Sequence, residues 1–84
     1  MPIAMTDTEA KANLAANLTR LLVSRGIGVN ELARKTGEEP MTISRAKRGL
    51  SLPNSGTLVR IAEALDVSID RLLYPPTDKS LQPT

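Results

Sequence analysis

The chain has 84 residues, a net charge of +2, no cysteine, no histidine and one aromatic side chain, Tyr74. That composition excludes disulfide frameworks and thiolate metal sites, and it removes the commonest metal ligand and general base. A core limited to Leu, Ile, Val, Ala and Met suits packed helices better than a sheet, so one small all-α domain is expected, with no cofactor and no metal.

Thr6-Asp7-Thr8-Glu9 has the spacing of a capping box and opens the first helix. Leu14, Leu18, Leu21, Leu22 and Arg25 follow at helical spacing, and Gly26 ends the run. Gly28 opens a second, short helix with Val29, Leu32 and Ala33 on its inner side, and Gly37 stops it. Glu39-Pro40 begins a third, since Pro suits the first helical position. Ile43 and Ala46 face inward there, and Gly49 closes the helix. Leu50 to Pro53 reads as a loop. Asn54 or Ser55 caps a fourth helix carrying Leu58, Ile61, Ala62 and Leu65, and Asp66 breaks its pattern. Ser68 caps a short fifth helix with Ile69, Leu72 and Leu73, stapled by Val67 and ended by Pro75-Pro76. The expected organisation is a flexible arm over residues 1–7, one domain over 8–74 and a flexible tail over 75–84.

No apolar run approaches the ~18 residues of a membrane span. Met1 to Met5 lacks the basic start and apolar stretch of a secretory leader, so a cytoplasmic location is expected. On the same ground the glycosylation sequon Asn17-Leu18-Thr19 is read as chance. Charge is uneven along the chain. From Arg20 to Arg48 there are seven cations (Arg20, Arg25, Arg34, Lys35, Arg45, Lys47, Arg48) against Glu31, Glu38 and Glu39, with slightly acidic flanks. A basic centre of this kind is an expected footprint for a polyanion. A solvated charged face would carry the same residues.

Two short helices joined through Gly37 and a three-residue turn describe a helix-turn-helix. Spacing alone does not separate it from a generic helical hairpin. The residues Ile27, Leu32-Ala33, Gly37, Thr42-Ile43-Ser44-Arg45, Arg48-Gly49, Pro53, Thr57-Leu58, Ile61-Ala62, Ala64-Leu65 and Val67-Ser68 do. In that register the chain resembles the lambda-repressor-like helix-turn-helix domains of the Cro/repressor and xenobiotic-response-element type, from about Leu18 to Leu73. The resemblance implies a compact five-helix domain and recognition of double-stranded DNA by the helix 40–48 in the major groove. It also implies a transcriptional regulator, usually a repressor, acting as a homodimer. On this reading Met41 and Arg45 contact bases, and Thr42, Ser44, Lys47, Arg48 and Ser51 contact the DNA backbone.

Several positions depart from the pattern that resemblance implies. Val29 stands where Gln often contacts phosphate, Gly28 where Ser, Thr or Asn often caps, and Pro40 where Gln often opens the recognition helix. Glu38 and Glu39 suit the positive end of the helix dipole but repel phosphates. Capping is the expected role of Glu39, and hydrogen bonding to cytosine is the alternative. Leu22 and Lys47 replace an Arg–Glu pair frequent in such domains, so no unpaired carboxylate is left behind. The Lys47 ammonium is expected to reach solvent or phosphate. These departures keep an alternative open, a helix-turn-helix that docks on protein as an antirepressor, adaptor or antitoxin. An enzyme is not expected. Ser44-Arg45-Ala46-Lys47 matches a Ser–Lys acyl-transfer pattern, but the chain has neither the companion motifs nor a second pocket-forming domain. For a dimer contact, Leu72, Leu73, Tyr74 and Pro75-Pro76 form one expected apolar patch, and Met1–Met5 another.

Overall fold

A computed structural model describes residues 5–75. It contains five helices: α1 (Asp7–Arg25), α2 (Val29–Thr36), α3 (Pro40–Lys47), α4 (Ser55–Leu65) and α5 (Ile69–Leu73). No strand occurs among the described residues. The helix starts follow from their caps. Thr6 and Glu9 exchange both capping-box bonds, with Thr6 N–H donating to Glu9 Oε1 at 2.9 Å and Glu9 N–H to Thr6 Oγ1 at 3.1 Å. Asn54, rather than Ser55, caps α4 by accepting from Thr57 N–H at 2.9 Å. Ser68 caps α5 through Arg71 N–H.

The first four helices end by one shared device. The residue at the turn adopts the left-handed conformation, and the next amide reaches back five residues: Ile27 to Leu22, Glu38 to Ala33, Leu50 to Arg45 and Val67 to Ala62. These bonds satisfy carbonyls that the helix leaves orphaned. Gly26, Gly37 and Gly49 fill three of the left-handed positions, and Asp66 takes the fourth at φ 59°. The third helix ends one residue earlier than the sequence suggests, with Arg48 at its cap and Gly49 beyond it.

The helices pack in a ring. α1 lies against α3 and α5, α3 against α2, α2 against α4, and α4 against α5. Each helix sends at least one large, fully buried aliphatic side chain to the centre: Leu14 and Leu18, Leu32, Ile43, Ile61 and Leu65, and Leu72. Burying each of these is worth roughly 1.5–3 kcal/mol. Full burial of Leu72 corrects the expected dimer patch, because that side chain already serves the core. Leu73 is half-buried, and Tyr74 and Pro75 are exposed. Pro76 and residues 1–4 lie outside the described residues.

Polar contacts at three junctions lock the ring, and the helical periodicity gives no sign of them. Asn17 is buried on α1, and its Nδ2 donates to the carbonyls of Leu72 at 2.9 Å and Tyr74 at 2.6 Å. Asn13 Nδ2 donates to Leu73 O at 3.0 Å, so two amides bind the end of α5 to α1. Its burial and these bonds also keep Asn17 from serving as a surface glycosylation acceptor in the folded chain. Arg25 donates Nε and Nη2 to Leu65 O at 3.1 and 2.7 Å, placing a cation at the C-terminal end of α4. At the start of the turn before α3, Glu38 accepts from Thr57 Oγ1 at 2.9 Å and pairs with Arg60. Among the described residues no buried side-chain nitrogen or oxygen lacks a partner.

Asn17→Ala should cost about 1–3 kcal/mol in urea unfolding, because the freed Leu72 and Tyr74 carbonyls lose their donor. The better helix propensity of alanine offsets less than ~1 kcal/mol of that. Arg60, first, and Thr57, second, hold the Glu38 carboxyl below its ordinary 4.5. A depressed carboxylate contributes stability that is present above about pH 4.5 and disappears as pH falls through the folded value. Glu38→Gln should therefore flatten the acid limb of the melting-temperature profile below about pH 4.5 and leave its shape near neutrality unchanged.

Candidate nucleic-acid interface

The α2–α3 unit is set by its turn and its shared apolar contact. Gly37 takes φ 72°, a conformation that costs an L side chain roughly 1–2 kcal/mol. Glu38 N–H then closes on Ala33 O at 3.0 Å, and Glu39 enters the β region at the cap of α3. Leu32 and Ala33 on α2 and Ile43 and Ala46 on α3 are all buried, which fixes one side of α3 against the domain. Thr36, also buried, returns its hydroxyl to the carbonyls of Leu32 and Ala33.

With Ile43 and Ala46 inside, the 3.6-residue period turns Met41, Arg45 and Arg48 outward on the opposite face, with Ser44 on its flank. The structure follows that geometry. Met41 is 58% exposed, Arg45 and Arg48 are exposed, and Thr42, Ser44, Lys47 and Ser51 are half-buried along the sides. Among the described residues no carboxylate lies within ion-pair distance of Arg45, Lys47 or Arg48. All seven residues singled out in the sequence thus belong to α3 or the loop after it, and three cations there are unspent. Leu22 is buried and Lys47 half-buried without a carboxylate partner, as the paired replacement suggests. Leu50, in the loop just past α3, adds a 57% exposed apolar side chain.

The charge footprint is narrower than the sequence implies. Arg25 is occupied at the end of α4. Arg20 lines a cleft of about 270 Å³ between α1 and α5, with Asn17, Arg71 and Tyr74. The remaining cations of the basic centre are exposed Arg20 on α1, Arg34 and Lys35 on α2, and Arg45, Lys47 and Arg48 around α3. The acidic pair also divides. Glu38 is held by Thr57 and Arg60 and has its carboxyl shifted down, whereas Glu39 occupies the cap position without a side-chain capping bond. The expected capping role of Glu39 is therefore met by its backbone alone. Thr57 and Arg60 are the residues near the site that sequence reasoning missed. Their spacing of three places them on one face of α4, but nothing local connects them to Glu38, about twenty residues earlier.

Among the described residues no cluster of three or more metal-ligating side chains occurs. No described helix is long and apolar enough to cross a membrane.

Known proteins share this arrangement. An HTH-type transcriptional regulator of Haemophilus influenzae, itself uncharacterized, is 45% identical over 51 residues, which is 61% of this chain and 21% of that protein. A hypothetical transcription factor from Neisseria, NHTF, superposes with a TM-score of 0.76 at 30% identity, covering 90% of this chain and 88% of that one. An HTH_3 family transcriptional regulator from Vibrio cholerae superposes with a TM-score of 0.74 at 33% identity, covering 80% of this chain and 38% of that one. The chain thus spans about a fifth of the Haemophilus protein and well under half of the Vibrio one. The helix-turn-helix family HTH_3 matches residues 13–72, from the α1 asparagine that binds α5 to the last core leucine, and the chain belongs to that family.

Proposed function

We propose that this chain is a sequence-specific, double-stranded DNA-binding transcriptional regulator that lays α3 in the major groove. The carrying observation is the split face of α3, with Ile43 and Ala46 fully buried on one side and Met41, Arg45 and Arg48 exposed on the other. An α-helix fits the major groove of B-DNA, and unspent guanidinium groups on its outer face match the acceptors there. Arg45 is assigned to guanine O6 and N7, and Met41 to an apolar contact such as a thymine methyl. Thr42, Ser44, Lys47, Arg48 and Ser51 are assigned to phosphates, which position without specifying. The family and the regulator relatives support the same reading. The occupied state of Glu38 weakens the case for a protein-docking module, since one of the two acids that suggested it is neutralised within the domain.

A repressor is the form proposed, working by occupancy of its site in the cytoplasm. A single domain of this size makes few base contacts, so a homodimer on two half-sites about 34 Å apart is proposed as well. Exposed Tyr74 and half-buried Leu73 at the end of α5 are available to it.

Selection from random duplex DNA should yield a palindromic site. Its affinity should fall with salt at a slope of roughly −0.9 per phosphate neutralised. Arg45→Ala should relax specificity at one base pair, by about 1–3 kcal/mol, while Arg48→Ala should weaken all sequences alike and lower the salt slope by about 1. Failure to enrich any sequence would point instead to a protein partner. Sedimentation that shows monomer alone, both free and on the selected site, would remove the dimer.

A further inference from the structure

Glu38 is a hazard to a helix that reads DNA. Helices of helix-turn-helix units contact base edges through their N-terminal residues. Glu38 lies two residues before Pro40, the first residue of α3. A free carboxylate there would carry the same sign as the phosphates that α3 must approach.

The first turns of α4 remove that charge from solvent. Thr57 is buried, and its amide is fixed by the Asn54 cap at 2.9 Å. Its hydroxyl donates to Glu38 Oε2 at 2.9 Å. The Arg60 guanidinium pairs with the same oxygen and also donates to Thr57 Oγ1 at 3.3 Å. The three side chains close a triangle in which Glu38 is 15% exposed and Arg60 50% exposed. The turn does not require an acid for its own closure, since the bond that shapes it runs from the Glu38 backbone amide to Ala33 O. Glu39, one residue on, is exposed and has no side-chain capping bond, so the clamp leaves one free acid at this end instead of two.

We propose that Arg60 is a positioning residue for DNA recognition: it draws the Glu38 carboxylate onto α4 and neutralises it, so that the reading end of α3 meets the phosphates without that repulsion. Arg60 acts through Glu38 and is not assigned a contact with DNA. This inference rests on the DNA-binding reading given above.

The test compares wild type, Arg60→Ala, Arg60→Lys, Glu38→Gln and the double variant Glu38→Gln/Arg60→Ala, each binding the selected duplex at about 50 and 200 mM salt. Arg60→Ala, which frees the carboxylate, should lose roughly five- to tenfold in affinity at the lower salt and less at the higher, as screening shortens the reach of the charge. Arg60→Lys should stay near wild type. The double variant lacks the ion pair but also lacks the acid, and should return to within about twofold of wild type. A clamp that only braces the fold would leave the double variant as weak as Arg60→Ala, with matching losses in melting temperature, and that result would overturn the inference. So would an Arg60→Ala protein that binds as wild type does. If wild type enriches no duplex, the DNA-binding reading fails and takes this inference with it. If wild type enriches one and the variants do not separate, the inference alone fails.

Discussion

The structure depends on one centre shared by five helices, with no aromatic ring to fill it. Leu14, Leu18, Leu32, Ile43, Ile61, Leu65 and Leu72 meet there at essentially zero exposure. Truncating a buried leucine or isoleucine to alanine typically costs 2–5 kcal/mol, a large share of the stability of a domain this small. Ile43 has a double importance. It is the anchor that keeps α3 in the ring, and by lying inside it dictates which residues of α3 lie outside. The placement of Arg45 is thus a consequence of hydrophobic packing half a turn away.

Around that centre, polar chemistry is spent on joining distant parts of the chain. Asn13 and Asn17 bind the end of α5, Arg25 binds the end of α4, and Glu38 is bound by α4. In each case a polar side chain meets a partner from another element, and buried Asn17 would be costly to leave unpaired. Arg34 and Lys35 on α2 and Arg45, Lys47 and Arg48 around α3 take no part in these joints, and neither do Lys11 and Arg20 on α1 or Arg71 on α5. Among the described cations only Arg25 and Arg60 are engaged in the framework, so the charge around α3 comes from placement.

What was legible in the sequence was local. The Thr6–Glu9 box, the breaks at Gly26 and Gly37, the Ser68 cap and the inward side of every helix depend on residues within a turn or two of each other, where spacing carries the information. The inner and outer faces of α3 were legible for the same reason, which is why Met41, Arg45 and Arg48 emerge together. The contacts that escaped span long separations: Asn17 to Leu72, Arg25 to Leu65, Glu38 to Arg60. No periodicity distinguishes an asparagine that binds two carbonyls from one that faces water. Leu72 is the converse case: its position beside Leu73 and Tyr74 suggests an exposed patch, yet it is the one residue that the five-residue α5 buries completely.

The contacts of the ring differ widely in how much chain they span. α2 and α3, neighbours in sequence, can form their contact while the rest of the chain is still being made, whereas the α1–α5 seam joins residues more than fifty positions apart. Loop closure over such a distance is entropically expensive and has to be repaid by contacts made at the end. The helix on which DNA reading is placed would therefore have its backbone shaped early but its support completed last. Until Leu72 leaves the ribosome, a nascent chain lacks the carbonyl through which Asn17 joins α1 to α5.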